Sequence, residues 1–172
     1  MPTNVEIKAR VRDFDGLKAR IESLSGAPCE EIPQEDTFFN VPAGRLKLRQ
    51  LAPDFGQLIH YRREDASGPK RSEYTIATTR EPGALKAILS ATVGVRGVVR
   101  KRRLLYRIGS TRIHMDAVEG LGFFMELEVV LKDGQDIGQG ATIANDLMEK
   151  LGIHPADLVQ GAYIDLLERP GS

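Results

Sequence analysis

The sequence predicts an α+β fold: an antiparallel sheet of about eight strands, with about four helices packed on its outside. Three observations lead there. Segments of strict two-residue alternation recur through the 172 residues, and period two is the mark of a strand with two different faces. Most of these segments follow one another through short connections, which is hairpin order. In many of them one face is charged and the other apolar, so the sheet has a side for helices to pack on and a side that must meet water or a ligand.

The first strand is Val5 to Val11, with Val5, Ile7, Ala9 and Val11 on one side and Glu6, Lys8, Arg10 and Arg12 on the other. Asp13 to Ser25 reads as a helix, with Phe14, Leu17, Ile21 and Leu24 on one stripe and Gly26 just past its end. Short strands follow at Thr37 to Val41 and Arg45 to Gln50, then longer ones at Gln57 to Glu64 and Ser72 to Thr79. Pro82 at a first-turn position, followed by Leu85, Ile88 and Leu89, signals a second helix ending near Gly94. Val98 to Ile108, Arg112 to Val118 and Phe123 to Leu131 are three more strands, turning at Gly109-Ser110 and Gly120-Leu121-Gly122. Ile143, Leu147, Met148 and Leu151 mark a third helix closed by Gly152, and Pro155 opens a fourth with Leu158, Ala162, Tyr163 and Leu166 on its buried face.

Composition limits what such a domain can do. Lys plus Arg and Asp plus Glu both number 24, giving a formal net charge of zero. That balance removes the whole-protein electrostatic case for nucleic acid or an anionic membrane as partner. One cysteine, Cys29, rules out an intrachain disulfide and a multi-cysteine zinc site and suits a reducing compartment. No apolar run approaches the roughly 20 residues of a membrane span, and Met1 to Arg10 lacks the apolar stretch of a signal peptide. The expectation is one cytoplasmic domain over residues 1–172.

The charge is balanced in sum but segregated in arrangement. Arg45, Lys47 and Arg49 share a strand face, as do Lys101 and Arg103, then Arg112, His114 and Asp116, and Glu126 and Glu128. Taken singly, each is an ordinary solvated strand face. Together, with helices on the apolar side, they belong to the other face of one sheet, and an eight-stranded sheet can close on itself and place them inside a barrel. A lumen lined by both signs suits a polyanion with bound metal, because carboxylates chelate Mg²⁺ or Mn²⁺ while Lys and Arg neutralise phosphate oxygens.

The ordered motifs also resemble a known family. Asn4-Val5-Glu6-Ile7-Lys8-Ala9-Arg10 is similar to the Glu-x-Glu-x-Lys signature of the CYTH, or triphosphate tunnel metalloenzyme, superfamily. Gln34 to Phe39, Leu46 to Arg49, Leu58 to Arg63, Ser72-Glu73-Tyr74, Val99 to Arg103, Asp116 to Gly122 and Glu126-Leu127-Glu128 follow in the family's order. The tail, with Leu151-Gly152-Ile153 and Tyr163 to Leu167, looks like the branch containing class IV adenylyl cyclases. One departure is Asn4, which stands where the signature has its first Glu and offers a metal only a weaker carboxamide oxygen.

The resemblance implies a closed eight-stranded antiparallel barrel with helices outside, and roles for its lining. Carried over position by position, the metal ligands are Glu6, Asp116, Glu126 and Glu128, for Mg²⁺ or Mn²⁺. The triphosphate-binding residues are Lys8, Arg10, Lys47, Arg49, Arg63, Lys101 and Arg103, with Arg112, Arg45 and Arg62 less secure. Lys8 or Lys47, its pKa depressed by crowded positive charge, could act as general base, although phosphate binding is the simpler role. The implied partner is a small triphosphate, ATP or inorganic or thiamine triphosphate, with no nucleic acid and no membrane; a homodimer is left open. The implied activity is adenylyl cyclisation of ATP to cyclic AMP and pyrophosphate. The rivals are hydrolysis of a triphosphate and, on the strength of Asn4, a non-catalytic nucleotide- or polyphosphate-binding module. Gly120-Leu121-Gly122 reads as a hairpin turn rather than a phosphate loop; His60, His114 and His154 show no metal-ligand spacing, with a lumen-facing position left open for His114, and Cys29 has no neighbouring His for a catalytic thiol.

Overall fold

The computed structural model describes residues 3–64 and 66–168. Eight strands form one closed barrel: β1 (Thr3–Arg10), β2 (Glu30–Phe39), β3 (Arg45–Ala52), β4 (Phe55–Arg63), β5 (Lys70–Thr79), β6 (Val95–Ile108), β7 (Thr111–Val118) and β8 (Gly122–Val130). Around the barrel the order is β1-β5-β4-β3-β2-β6-β7-β8, and β8 pairs with β1 to close it. Every pairing is antiparallel. The expected fold class is therefore the observed one, and closure removes the sheet edges that would otherwise stay unpaired.

Helices α1 (Phe14–Ser25), α2 (Pro82–Thr92) and α3 (Ile137–Leu151) lie outside. Asp13 caps α1 by accepting from the Gly16 N–H, and Gly26 ends it in the left-handed region. Helix α3 begins six residues before its first expected apolar position, because Asp136 and Gln139 form a reciprocal capping box ahead of the amphipathic stretch. The apolar outer faces of β1, β7 and β8 pack under α1 and α3, with Val5, Ile7, Leu17, Ile21, Ile113, Met115, Leu127 and Leu151 all buried. Each such side chain stabilises the fold by about 1.5–3 kcal/mol relative to exposure. Helix α2 buries only Pro82.

Two expectations are corrected. Strand β2 starts at Glu30, not Thr37, since the polar run Glu30 to Asp36 is laddered to β6 from Glu30↔Leu105 onward. Pro33 is tolerated there because β3 joins β2 only from Glu35. The helix expected from Pro155 is broken into a 3₁₀ turn (Pro155–Asp157), an extended stretch and α4 (Tyr163–Glu168). Leu158 bridges Ala9, the Val159 N–H donates to the Lys8 carbonyl, and Gly161 turns with φ +83°, a region closed to most side chains. This tail closes one end of the barrel. Val159, Ala162, Tyr163, Ile164 and Leu166 pack on Phe38, Val99, Val118 and Phe124 in a second apolar cluster.

Candidate active site

Because β-strand side chains alternate, the barrel's inner face is built from every second residue of each strand. Asn4, Glu6 and Lys8 of β1 line a cavity of about 260 Å³, together with Glu126 and Glu128 of β8 and Arg112 and His114 of β7. Asp36 of β2, Lys47 and Arg49 of β3, Arg63 of β4 and Lys101, Arg103 and Arg107 of β6 line the remainder, with Ala162 and Tyr163 at the floor. Stepping away from the capped end, β6 presents Val99, then Lys101, Arg103, Leu105 and Arg107. Eight cationic side chains thus face four carboxylates, Glu6, Asp36, Glu126 and Glu128.

The acids gather on one wall. Glu6 is the register partner of Glu128 and Lys8 that of Glu126, which brings together residues 122 and 118 positions apart in the chain. Burial and then the negative charge of Glu128 push the Glu6 carboxyl up to about 7, while Arg63 opposes them. Burial works to raise Glu126 as well, but Lys8, His114 and Arg103 hold it well below the usual carboxylate range. Glu128 is lowered against its burial by His114 and Arg112, the latter donating at 3.1 Å. His114 sits between the pair, its Nε2 3.4 Å from Glu128 and its Nδ1 3.8 Å from Glu126. One ligand atom from each of these three residues lies within 4.8 Å of the others.

The opposite wall is basic around one acid. Asp36, 1% exposed, accepts two bonds from Arg49 at 2.9 Å and lies 3.3 Å from Lys101 and 3.5 Å from Lys47. Burial would raise its pKa, but those three cations hold it well below normal. Burial and then Arg49 bring Lys47 down to about 7; burial, with Arg63 and Lys101, does the same to Lys8 although Glu126 pulls the other way. Lys8 Nζ donates to the Gly161 carbonyl at 3.1 Å and stands 4.0 Å over the Tyr163 ring. Arg63 donates to Glu6 at 3.4 Å, while its buried Nε and Nη2 have no partner among the described residues.

Of the residues expected at the site, Glu6, Glu126, Glu128, Lys8, Lys47, Arg49, Arg63, Lys101, Arg103 and Arg112 all line this cavity. Two do not. Arg10 is exposed at the end of β1, stacked over Phe124 at 5.1 Å, because the strand leaves the barrel there. Asp116 is fully buried behind the lining. Arg103 grips both its oxygens at 2.8 and 2.9 Å, and the Tyr163 hydroxyl donates at 2.8 Å, so three of its four lone-pair sites are already committed. Arg45 pairs with Asp165 at 2.7 Å and Arg62 is exposed. Asp36, which lies in a polar run without alternation, and Arg107 line the cavity without a local signal in the sequence. Lys70 has no such signal either, and its buried ammonium donates to the Val159 carbonyl at 3.2 Å. His60, His154 and Cys29 lie outside the cavity lining.

A model of the CYTH domain matches residues 2–163. The chain belongs to the CYTH domain family. Among curated relatives, the adenylate cyclase CyaB of Aeromonas hydrophila is 27% identical over 175 residues, covering 96% of this chain and 88% of the relative. Among solved structures, the Pyrococcus horikoshii protein PH1012 superposes with a TM-score of 0.80 at 27% identity, covering 95% of this chain and 98% of that one. A Hippeastrum adenylyl cyclase homologue, described as having a dominant triphosphatase activity, shares the fold at 17% identity with a TM-score of 0.61, over 87% of this chain and 88% of that one. The CYTH fold thus accounts for the barrel, and the lining described above is this chain's own version of it.

Proposed function

We propose that this CYTH protein is a divalent-metal-dependent enzyme acting on a triphosphate compound, with conversion of ATP to cyclic AMP and pyrophosphate as its reaction. The observation that carries the reading is the lumen's unmatched cationic lining: Arg63 keeps two buried donors without a partner among the described residues, and eight cations face four acids. A buried guanidinium in that state calls for an anion. The likeness to CyaB, at 27% identity over almost the whole chain, supports the cyclase form.

Glu126 and Glu128, with Glu6 across from them, are the hard oxygen donors that fit Mg²⁺ or Mn²⁺; burial first and carboxylate crowding second raise Glu6, and such a cation relieves both. When bound, the metal supplies charge neutralisation at phosphate oxygens. The chain does the rest. Lys47, Arg49, Lys101 and Arg63 hold the phosphate oxygens; Arg103 and Arg112 keep the carboxylates aimed inward. The ribose 3′-oxygen attacks the α-phosphorus, the bond to the bridging oxygen breaks, and pyrophosphate leaves. Lys8 or Lys47, each near neutrality, takes the proton of the attacking hydroxyl. The cavity's 260 Å³ is below the roughly 300–1,000 Å³ of pockets that enclose a whole ligand, so the nucleoside lies in the mouth near Ile32, Ile76 and Leu105.

A triphosphatase is the second reading. That small volume favours it, since a triphosphate alone fills the lumen, and the Hippeastrum neighbour is described as having that activity. Incubation with ATP and with inorganic triphosphate, in Mn²⁺ or Mg²⁺, separates the two. Cyclic AMP with pyrophosphate establishes the cyclase and orthophosphate the hydrolase. Tight binding without turnover leaves a binding module, and no binding overturns all three. A cytoplasmic location, supported by the lone thiol of Cys29, and a homodimer belong to the same proposal; fractionation and light scattering test them.

A further inference from the structure

We propose that His114 is itself a metal ligand beside Glu126 and Glu128, and that its nitrogen turns this lumen's preference from Mg²⁺ to Mn²⁺ and the later first-row divalent ions. The proposal rests on the metal-dependent reading above and goes beyond it in ligand set and ion choice. His114 is 4% exposed and faces the lumen from the middle of β7. Its buried Nδ1 makes no hydrogen bond within 3.5 Å among the described residues and faces the Glu126 carboxylate at 3.8 Å, a gap too long for a hydrogen bond between the two.

The strand register sets the geometry. His114 pairs with Glu126 and Arg112 with Glu128 across β7 and β8, so the imidazole and both carboxylates project from one face of one hairpin. Their ligand atoms lie within 4.8 Å of one another. Two ligands on opposite sides of one ion at about 2.1 Å lie about 4.2 Å apart, so modest side-chain rotation closes the set. Across from the hairpin, β1 adds the carboxylate of Glu6 and one neutral oxygen donor: Asn4, 1% exposed, has its Oδ1 without a partner among the described residues. Mg²⁺ demands oxygen ligands in a near-ideal octahedron and holds its waters, whereas imidazole raises affinity along the series from Mn²⁺ to Cu²⁺. Replacing one hard anionic oxygen by nitrogen therefore biases the site away from Mg²⁺.

The test uses the full chain, stripped with a chelator and titrated with metal alone, without any triphosphate. Calorimetry of the wild type is expected to show Mn²⁺ and Co²⁺ binding at least about 10-fold more tightly than Mg²⁺. The all-oxygen variant His114→Asp should lose that ratio while keeping Mg²⁺ binding. The chain has only three histidines, so imidazole NMR of the unaltered protein gives a second readout that needs no variant. Zn²⁺ should shift one imidazole spin system, and Mn²⁺ should broaden the same one at substoichiometric concentration, while Mg²⁺ leaves it in place. Unperturbed imidazole resonances under Mn²⁺ and Zn²⁺, or an unchanged Mn²⁺/Mg²⁺ ratio in His114→Asp, overturn the assignment. Either result leaves the triphosphate reading standing, and failure of all triphosphate turnover leaves these metal titrations interpretable.

Discussion

At residue scale the lumen separates side chains that hold the barrel from side chains open to a ligand. Asp116 has four neighbouring lone-pair sites and three of them are answered by Arg103 and Tyr163. Arg103→Met would leave this fully buried carboxylate without its main partner, and unfolding in urea should show a loss of about 3–5 kcal/mol. Tyr163→Phe removes a single bond to the same carboxylate and should destabilise by about 1–3 kcal/mol in the same titration. Arg63 is the converse case, with donors to spare. Arg63→Met should leave the fold in place and weaken triphosphate binding by about 1.5–3 kcal/mol, read by calorimetry; unchanged affinity would remove Arg63 from the binding set.

The elements were unequally legible, for reasons that lie in the residues. Strand β1 and the β7–β8 hairpin alternate cleanly, so the inward direction of Glu6, Lys8, Glu126 and Glu128 could be read locally. Arg10 obeys the same alternation yet points to solvent, because β1 ends there and alternation says nothing about where a barrel stops. The start of β2 carries polar residues on both faces and gave no period to read. The tail looked like one amphipathic helix; two buried lysine ammoniums, Lys8 and Lys70, instead use its carbonyls at Gly161 and Val159. Helix α3 shows how closely an element can be seated: a Cβ on Gly140 would lie 2.6 Å from Val5 Cγ2 and 2.7 Å from Leu131 Cδ2. Gly140→Ala should therefore destabilise by about 1–3 kcal/mol despite alanine's better helix propensity, as thermal unfolding would show.

For the whole molecule, enclosure converts ordinary titrations into a pH dependence of stability. Lys8 and Lys47 have folded pKa values near 7 against 10.5 unfolded, and Lys101 is lowered too. Between those values the unfolded chain binds more protons than the folded one, so stability rises with pH across that window. Each lysine contributes up to about 1.4 kcal/mol per pH unit there. The chelator-treated protein should thus melt at higher temperature at pH 9 than at pH 7, and Lys47→Met should flatten the rise. A melting temperature that falls from pH 7 to 9 would mean that these ammonium groups are not enclosed as described. Bound triphosphate should oppose the trend, by stabilising the charged lysines at neutral pH.

Which side chains share a face, where α1 is capped, and that the charges segregate from the apolar residues all follow from the order of amino acids, since a strand's alternation and a helix cap involve only residues a few positions apart. Which acid meets which base was settled by tertiary structure alone: β1 lies between β5 and β8, so Glu6 is placed beside Arg63 and Glu128, from opposite halves of the chain. The same holds for the closed end of the barrel and for the withdrawal of Asp116 behind Arg103. Those facts depend on strand order and closure, which bring distant segments within a few ångströms and which no local periodicity encodes.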